Sequence, residues 1–89
     1  MTISFPNATR SYDPVKGRVR FWGYDGAIEV SFFLDDSALR KLCPATGFTE
    51  DDLLAAFDAV RKRIHSVAVK VYGRRRKGEY ACWLSASDF

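Results

Sequence analysis

The stretch RVRFWGYDGAIEVSFFL, residues 18–34, decides the fold of this chain. It consists of two alternating runs that are rich in β-branched and aromatic residues, and Asp25-Gly26 separates them. An Asp-Gly pair between such runs is the strongest short-range signal for a β-hairpin with a two-residue turn. The sequence therefore predicts two antiparallel strands that turn at Asp25-Gly26, with Trp22 opposite Glu29 in the ladder.

The two faces of this hairpin differ in chemistry. Successive side chains of a strand point to opposite faces, so residues of one parity lie together. The apolar face is expected to pack on the core and consists of Val19, Phe21, Ile28, Val30 and Phe32. The mixed face carries Arg18, Arg20, Trp22, Tyr24, Glu29 and Phe33.

The middle of the chain carries helix signals. Thr49 and Asp52 form a capping-box pattern with acids in the first turn, and apolar residues then recur at three- and four-residue steps as far as Val71. With Gly73 as the stop signal, the pattern predicts one amphipathic helix of about 24 residues and roughly 36 Å. A shorter helix is predicted before it, at residues 35–42.

The remaining segments complete the predicted topology. Residues 3–5 (ISF) read as a short edge strand ended by Pro6, residues 11–17 (SYDPVKG) as a turn, and residues 79–89 as a closing strand. The order β-β-β-α-α-β favours a single α+β domain over residues 1–89. We expect a small antiparallel sheet with the long and the short helix packed on one face.

Composition limits the class of protein. The chain has 89 residues, of which 47% are hydrophobic, so one small core is expected. The N-terminus lacks the pattern of a signal peptide, and no apolar run reaches the ~20 residues of a membrane span. Cys43 and Cys82 are isolated in the sequence and do not suggest a disulfide framework. We therefore expect a cytoplasmic protein with reduced thiols and no membrane contact.

Most of the sequence is similar to a known family. The segments that carry the likeness are residues 3–42 and DLLAAFDAVRKRIHSVA, residues 52–68, and they resemble the small bacterial domain-of-unknown-function family numbered 1488. The resemblance implies a compact α+β fold without an established activity, and it transfers no catalytic or binding residue. The matching positions are Phe5, Tyr12, Asp13, Ala38, Leu39, Phe57, Ile64 and Ala68.

A basic run near the end of the chain is the first candidate site. Residues 61–77 contain eight cations and no anion, and GRRRKG at 73–78 places four of them in succession. Such a run can neutralise phosphates without distinguishing bases. Equally, cations at a helix C-terminus complement the helix dipole and suit a solvated loop. The predicted polyanion-binding residues are Lys70, Arg74, Arg75, Arg76 and Lys77.

The mixed face of the hairpin is the second candidate site. Guanidinium groups and aromatic rings interleave there, as on sheets that bind single-stranded nucleic acid by stacking. An exposed aromatic face also suits a protein partner or a second copy of the chain. The remaining alternative is that the N-terminal segment or the closing strand covers this face. The predicted interface residues are Arg18, Arg20, Trp22, Tyr24 and Phe33.

Catalysis has little support in the sequence. His65 is the single histidine, and the periodicity places it with Asp58 and Arg61 on the polar side of the long helix. Neither cysteine has an adjacent base, and no zinc pattern or phosphate-binding glycine loop is present. We expect no enzyme, cofactor or metal, although an enzyme or thiol regulator centred on Cys43 or His65 is a third class.

The expected function is therefore a non-catalytic binding or regulatory module. Its predicted partner is a polyanion such as nucleic acid, contacted through the basic loop without base specificity. The alternative is a protein-interaction or homodimerisation domain that uses the mixed face of the hairpin.

Overall fold

The computed structural model describes residues 3–6, 9–74, 78 and 80–89. Its four strands are β1 (Arg10–Asp13), β2 (Arg18–Asp25), β3 (Ile28–Asp35) and β4 (Ala81–Leu84). Its helices are α1 (Asp36–Leu42), α2 (Glu50–Ala59), α3 (Arg61–Arg74) and a short 3₁₀ helix (Ala86–Asp88). The α+β fold class is confirmed, with one more α-helix than predicted and an additional short 3₁₀ helix.

The hairpin forms with its turn one residue later than predicted. The ladder of β2 and β3 ends at the pair Asp25–Ile28, so Gly26 and Ala27 form the two-residue loop and Trp22 lies opposite Ser31. Gly26 has φ 61°, whereas Ala27 has a negative φ, as in a type II′ turn, which takes glycine at its first central position. The predicted register is therefore wrong by two residues. A shift of two leaves every side chain on its predicted face.

The sheet is mixed and open, with strand order β1-β2-β3-β4. β4 pairs with β3 in parallel, from Ser31–Ala81 to Leu34–Leu84, so the prediction of an antiparallel sheet is wrong at this edge. The helices carry the chain from the end of β3 back to the end where β3 begins. A crossover of this kind delivers a parallel neighbour.

The N-terminal part of the sheet also differs from the prediction. β1 lies in a segment that was expected to be part of a turn, and it pairs antiparallel with β2 from Arg10–Phe21 to Asp13–Arg18. The expected edge strand at residues 3–5 is reduced to one bridge, in which Ser4 and Tyr24 exchange backbone hydrogen bonds of 2.9 and 2.8 Å. The prolyl residue Pro6 has no N–H to extend this pairing.

The hydrophobic core lies between the apolar face of the sheet and the helices. Of the five residues expected on this face, Ile28 is the exception, because it lies directly at the turn and is 45% exposed. Cys82 and Leu84 of β4 join the same face. The largest fully buried side chains are Tyr72, Phe21, Phe32, Phe57, Leu34, Leu39, Leu53, Ile64, Leu84, Val19 and Val30.

The predicted long helix is broken at Val60. This residue has φ −116° and ψ 21°, and its N–H is shared between the carbonyl oxygens of Ala56 (3.2 Å) and Phe57 (3.3 Å). An eight-residue strand spans only about 26 Å, so a straight helix of roughly 36 Å would extend beyond the sheet. The break allows both halves to bury residues. Gly73 does not end the helix either, because α3 continues to Arg74.

The start of α2 follows the sequence prediction. The Thr49 hydroxyl accepts a hydrogen bond from the Asp52 N–H (3.1 Å), and the Asp52 carboxylate accepts one from the Thr49 N–H (3.4 Å). This is the predicted capping box. Among the described helices, none has the length and apolar character that crossing a membrane requires.

Candidate binding surfaces

The face of the sheet opposite the helices, here called the outer face, carries four aromatic side chains, namely Trp22, Tyr24, Phe33 and Trp83. Trp22 and Phe33 are partly exposed, and Trp83 of β4 is 57% exposed. β4 lies beside β3 and adds Trp83 to this face. The described N-terminal residues instead turn Ile3, which is 6% exposed, towards the core. On the outer face Arg20, Glu29 and Trp83 are therefore exposed, whereas Trp22 and Phe33 are partly buried.

Rings and guanidinium groups on the outer face form one continuous row. The rings of Phe33 and Trp83 stack with centroids 5.3 Å apart and planes inclined by 23°. The Cζ atom of Arg18 lies 4.3 Å from the centre of the Phe33 ring. That of Arg20 lies 4.7 Å from the Trp22 ring and 5.8 Å from Phe33. Cation–π contacts at exposed sites contribute about 0.5–1 kcal/mol each, so they hold the cations over the rings.

Hydrogen bonds further order this surface at the hairpin end. Arg20 donates from Nη2 to the Ser31 hydroxyl (3.0 Å), and the Tyr24 hydroxyl donates to Glu29 (3.3 Å). A shallow hollow of about 200 Å³ at this end is lined by Thr9, Trp22, Tyr24 and Glu29. At the opposite end of β2, Arg18 Nε is buried and has no hydrogen-bond partner among the described residues.

Charge is unevenly distributed over the outer face. The strand registers place Asp13 and Asp35 on either side of Arg18 at one end. The Asp13 carboxylate there accepts hydrogen bonds from the backbone N–H groups of the β1–β2 turn. Glu29 lies at the other end. Between the two ends, the described strands place Arg20 and the rings of Trp22, Phe33 and Trp83 on the outer face. No acid of these strands lies in this central part.

The basic run is only partly within the described chain. Lys70 and Arg74 are exposed in the last turns of α3, whereas Arg75, Arg76 and Lys77 lie outside the described residues. Both flanks of the run contact the hairpin. The Tyr72 hydroxyl donates to Asp25 Oδ2 (2.5 Å), and the Ser31 N–H donates to the Tyr80 carbonyl (3.0 Å). The described residues on either side of the run, Tyr72 and Tyr80, therefore both contact the hairpin.

The predicted polar row on the helix is not an open site. His65 is half-buried and stacks on Phe5, with ring centroids 4.0 Å apart, so its placement on the polar side was wrong. Burial lowers the pKa of His65, and the charge of Arg61 lowers it further. Asp58 accepts two hydrogen bonds from Arg10 (3.0 and 2.9 Å) and one from Arg61. Burial raises the Asp58 pKa, but these bonds outweigh it and leave the pKa lowered.

Other groups with chemical potential are dispersed. Cys43 is half-buried and Cys82 is buried, and both are free thiols. Among the described residues, no three His, Cys, Asp or Glu side chains are grouped so that they could hold a metal ion. A hollow of about 480 Å³ lies at the helix break, lined by residues 58–63, where Asp58 is already paired with Arg61.

The sequence prediction of the outer face was incomplete in one respect. Trp83 was read as part of a closing strand, and its alternation with Cys82 and Leu84 already implied that it faces away from the core. Its position beside Phe33 depends on the parallel pairing of β4, which no local pattern indicates. The missing signal was therefore strand direction, not residue type.

Comparisons with known proteins bear on the fold. A family model described as "Protein of unknown function (DUF1488)" matches residues 3–84. The crystal structure of a DUF1488 protein of unknown function from Shewanella loihica PV-4 is similar, with a TM-score of 0.76 and 16% sequence identity. The similarity covers 91% of this chain and 93% of that one, and at this identity it shows the fold alone. No curated protein matches the chain.

Proposed function

The chain belongs to the DUF1488 family, whose function is unknown, and we propose that it is a non-catalytic binding module for a polyanion such as nucleic acid. The contact residues are Lys70 and residues 74–77. They bind the phosphate backbone electrostatically and do not distinguish between bases. One observation carries the proposal: residues 61–77 contain eight cations and no anion.

The described part of the basic run supports this proposal. Ion pairs among the described residues join Arg10, Arg40 and Arg61 to carboxylates, and none of them involves Lys70 or Arg74. Both side chains are exposed at the C-terminal end of α3. One or two cations there are enough to complement the helix dipole, so the remaining charge is available for a ligand.

Salt dependence tests the proposal. We expect affinity for duplex DNA to fall steeply with added salt, because each phosphate contact releases a counterion. Replacing Arg74, Arg75 and Arg76 with Gln lowers the slope of log affinity against log salt by about one per contact. Fluorescence anisotropy of a labelled duplex at several salt concentrations measures this slope.

A charge-matched variant controls for net charge. Lys16, Lys62 and Arg63 are exposed cations that are not among the predicted contact residues, and replacing them with Gln also removes three positive charges from a chain of formal net charge +3. We expect this variant to retain most of the parent's salt slope. Equal slopes for the parent and the triple Arg variant would refute binding through the basic run.

The second candidate function is protein interaction or homodimerisation through the outer face. The specific observation in its favour is Trp83, which is 57% exposed next to Phe33. Exposed aromatic clusters are common at protein interfaces. Sedimentation equilibrium would then give a mass above the 10.1 kDa of the chain, and Phe33→Asp would return it to monomer. A monomeric mass at all concentrations contradicts the homodimer.

We also propose a bacterial, cytoplasmic location. The free thiols support it, since Cys82 is buried in the core and Cys43 is half-buried, and a reducing compartment preserves this state. Fractionation of cells that express the protein from its own promoter tests the location. Recovery from a secreted or envelope fraction would contradict it.

A further inference from the structure

We propose that the outer face binds a second copy of the chain across a two-fold axis that runs parallel to the strands, between β2 and β3. The proposal rests on the second candidate function, and it names the partner and the orientation of the two copies. In such a dimer β2 lies over the partner's β3, and β1 lies over the partner's β4.

The outer face has the anatomy of a protein interface. Its centre carries Arg20 and the rings of Trp22, Phe33 and Trp83, and its other charged residues lie at the two ends. Specific interfaces have an aromatic centre, in which arginine is also enriched, and a polar rim. Trp83 is 57% exposed and already stacked on Phe33, so it can anchor a partner without rearrangement. The acids at both ends repel phosphates, so this face suits a protein better than a polyanion.

The order of charges along the strands distinguishes between the two possible orientations. A two-fold dimer joins the same patch of both copies, and only two axes in the plane of the sheet superimpose the whole face. The axis parallel to the strands places Arg18 opposite the partner's Asp35, because these residues are also neighbours in the ladder. The axis perpendicular to the strands places Asp35 opposite the partner's Glu29, and facing like charges disfavour a complex. Charge complementarity therefore favours the parallel axis.

Both members of this charge pair are available within the described chain. Neither Arg18 nor Asp35 forms an ion pair with another described residue, although they lie side by side in the sheet. Asp35 precedes α1 and makes no capping hydrogen bond with its side chain. The Arg18 guanidinium is held on the outer face, 4.3 Å from the centre of the Phe33 ring. The symmetry gives two Arg–carboxylate pairs at the α1 end of the interface.

The sizes of the facing side chains also match in this orientation. The registers place Trp22 opposite the partner's Ser31, and Trp83 opposite the partner's Ser11. Each large ring thus faces a small side chain. The two sheets can therefore approach to the spacing of about 10 Å that packed sheets require.

The area of the face sets the expected strength of the dimer. Four strands span about 19 Å, and strands of eight residues span about 26 Å, so two such faces bury on the order of 1,000 Å² together. Interfaces of this size lie at the lower end of specific complexes, where association is weak and reversible. We expect a dimer that dissociates on dilution.

Exchange of the charges tests the proposed pair. Arg18→Glu makes two carboxylates face each other, and Asp35→Arg makes two guanidinium groups face each other. Each change alone should raise the dissociation constant of the dimer by about tenfold or more. An equimolar mixture of the two variants should associate again, because every facing pair in the mixed dimer is of opposite charge. Sedimentation equilibrium over a range of protein concentrations measures these constants.

Intrinsic fluorescence provides a second readout. Both tryptophans of the chain, Trp22 and Trp83, lie on the outer face. Acrylamide should therefore quench the fluorescence of the concentrated parent less efficiently than that of either charge variant. The equimolar mixture should regain the protection of the parent.

Two control variants carry the same changes of charge away from the outer face. Lys62→Glu and Asp51→Arg alter exposed residues of α3 and α2, and both should dimerise as the parent does. Circular dichroism checks that each variant folds. If a charge variant does not fold, Ser11→Trp and Trp83→Ala replace the pair, since Ser11→Trp alone should prevent association and the mixture should restore it.

The outcomes separate this inference from the proposed functions. A parent that is monomeric at all concentrations overturns the dimer and leaves polyanion binding by the basic run untouched. A dimer that Phe33→Asp disperses but that the mixture does not restore uses the outer face and refutes the parallel axis. A dimer that persists in Phe33→Asp uses another surface and overturns the inference. A monomer that captures a different protein through Trp83 keeps the second candidate function and overturns the second copy as partner.

Discussion

Replacing Gly23 with Ala tests how the N-terminal segment is attached to the sheet. Gly23 is a buried residue of β2 on the core side. A Cβ atom there would lie 2.8 Å from Phe5 Cε1 and 3.0 Å from both Ile3 Cγ1 and the Ser4 carbonyl oxygen. Real Cβ contacts essentially never fall below 3.0 Å, so residues 3–5 must move if Gly23 is replaced.

The cost follows from what restrains these residues. Phe5 is stacked against His65 at 4.0 Å, and Ser4 is held by two backbone hydrogen bonds to Tyr24, so neither can shift freely. Inserting a methyl group into a packed site costs about 1–3 kcal/mol, and a lost hydrogen bond adds about 0.5–1.5 kcal/mol. We expect Gly23→Ala to lower the free energy of unfolding by about 2–3 kcal/mol. For a domain of this size the Tm then falls by roughly 8–24 °C.

Thermal and urea denaturation, followed by circular dichroism, measure this change. Gly73→Ala is the matched control, because a Cβ there meets nothing within 4 Å and the residue lies in α3. Alanine is the better helix former, so this variant should gain about 0.5–1 kcal/mol. NMR titration of His65 provides a second readout, since displacement of Phe5 exposes the imidazole and moves its pKa back towards 6.5.

A clear result would refute this reasoning. If Gly23→Ala were as stable as the parent, or gained stability as Gly73→Ala should, the close approach of Phe5 to β2 would not exist in the folded protein. An unchanged His65 titration in a destabilised variant would place the strain elsewhere.

Three further predictions concern single interactions. The pKa of folded His65 lies below 6.5, so the unfolded chain binds the proton more readily. The free energy of unfolding should therefore fall as the pH drops below about 6.5. Urea midpoints measured from pH 7.5 to 5 should show this decrease, and His65→Gln should remove the part of it that His65 causes. Arg10→Ala and Asp58→Asn should each cost up to about 1 kcal/mol, and additive losses in the double variant would contradict their bidentate pairing. Thr49→Ala should cost about 1 kcal/mol in chemical denaturation and Thr49→Ser much less, whereas equal losses would contradict the capping box.

Local patterns predicted the parts of the fold that local physics controls. Thr49 and Asp52 are three residues apart, and their reciprocal capping requires nothing outside the first turn of α2. The faces of the hairpin were also correct although the turn moved by one residue, because a register shift of two preserves alternation. Five outer-face residues were accordingly placed on the right surface by the sequence alone.

Other features depend on contacts that are distant in sequence. The break at Val60 has no proline or glycine to mark it and reflects the fit of two helices to a short sheet. β1 has the largely polar sequence RSYD, in which only Tyr12 has a high strand propensity, and it forms by pairing with the edge of β2. His65 looked solvent-exposed on a helical wheel, yet Phe5, sixty positions away in the chain, covers it.

The parallel direction of β4, which the sequence did not predict, affects both candidate binding surfaces. An antiparallel β4 would start beside the end of β3, and the basic run before it would then lie at the α1 end of the sheet. The parallel pairing starts β4 opposite Ser31 and places Trp83 beside Phe33. The same pairing anchors Tyr80 at the hairpin, where Tyr72 also contacts Asp25. One topological feature therefore positions both Trp83 and Tyr80, and neither position can be predicted from the residues of β4 alone, because both depend on which end of β3 the chain reaches after α3.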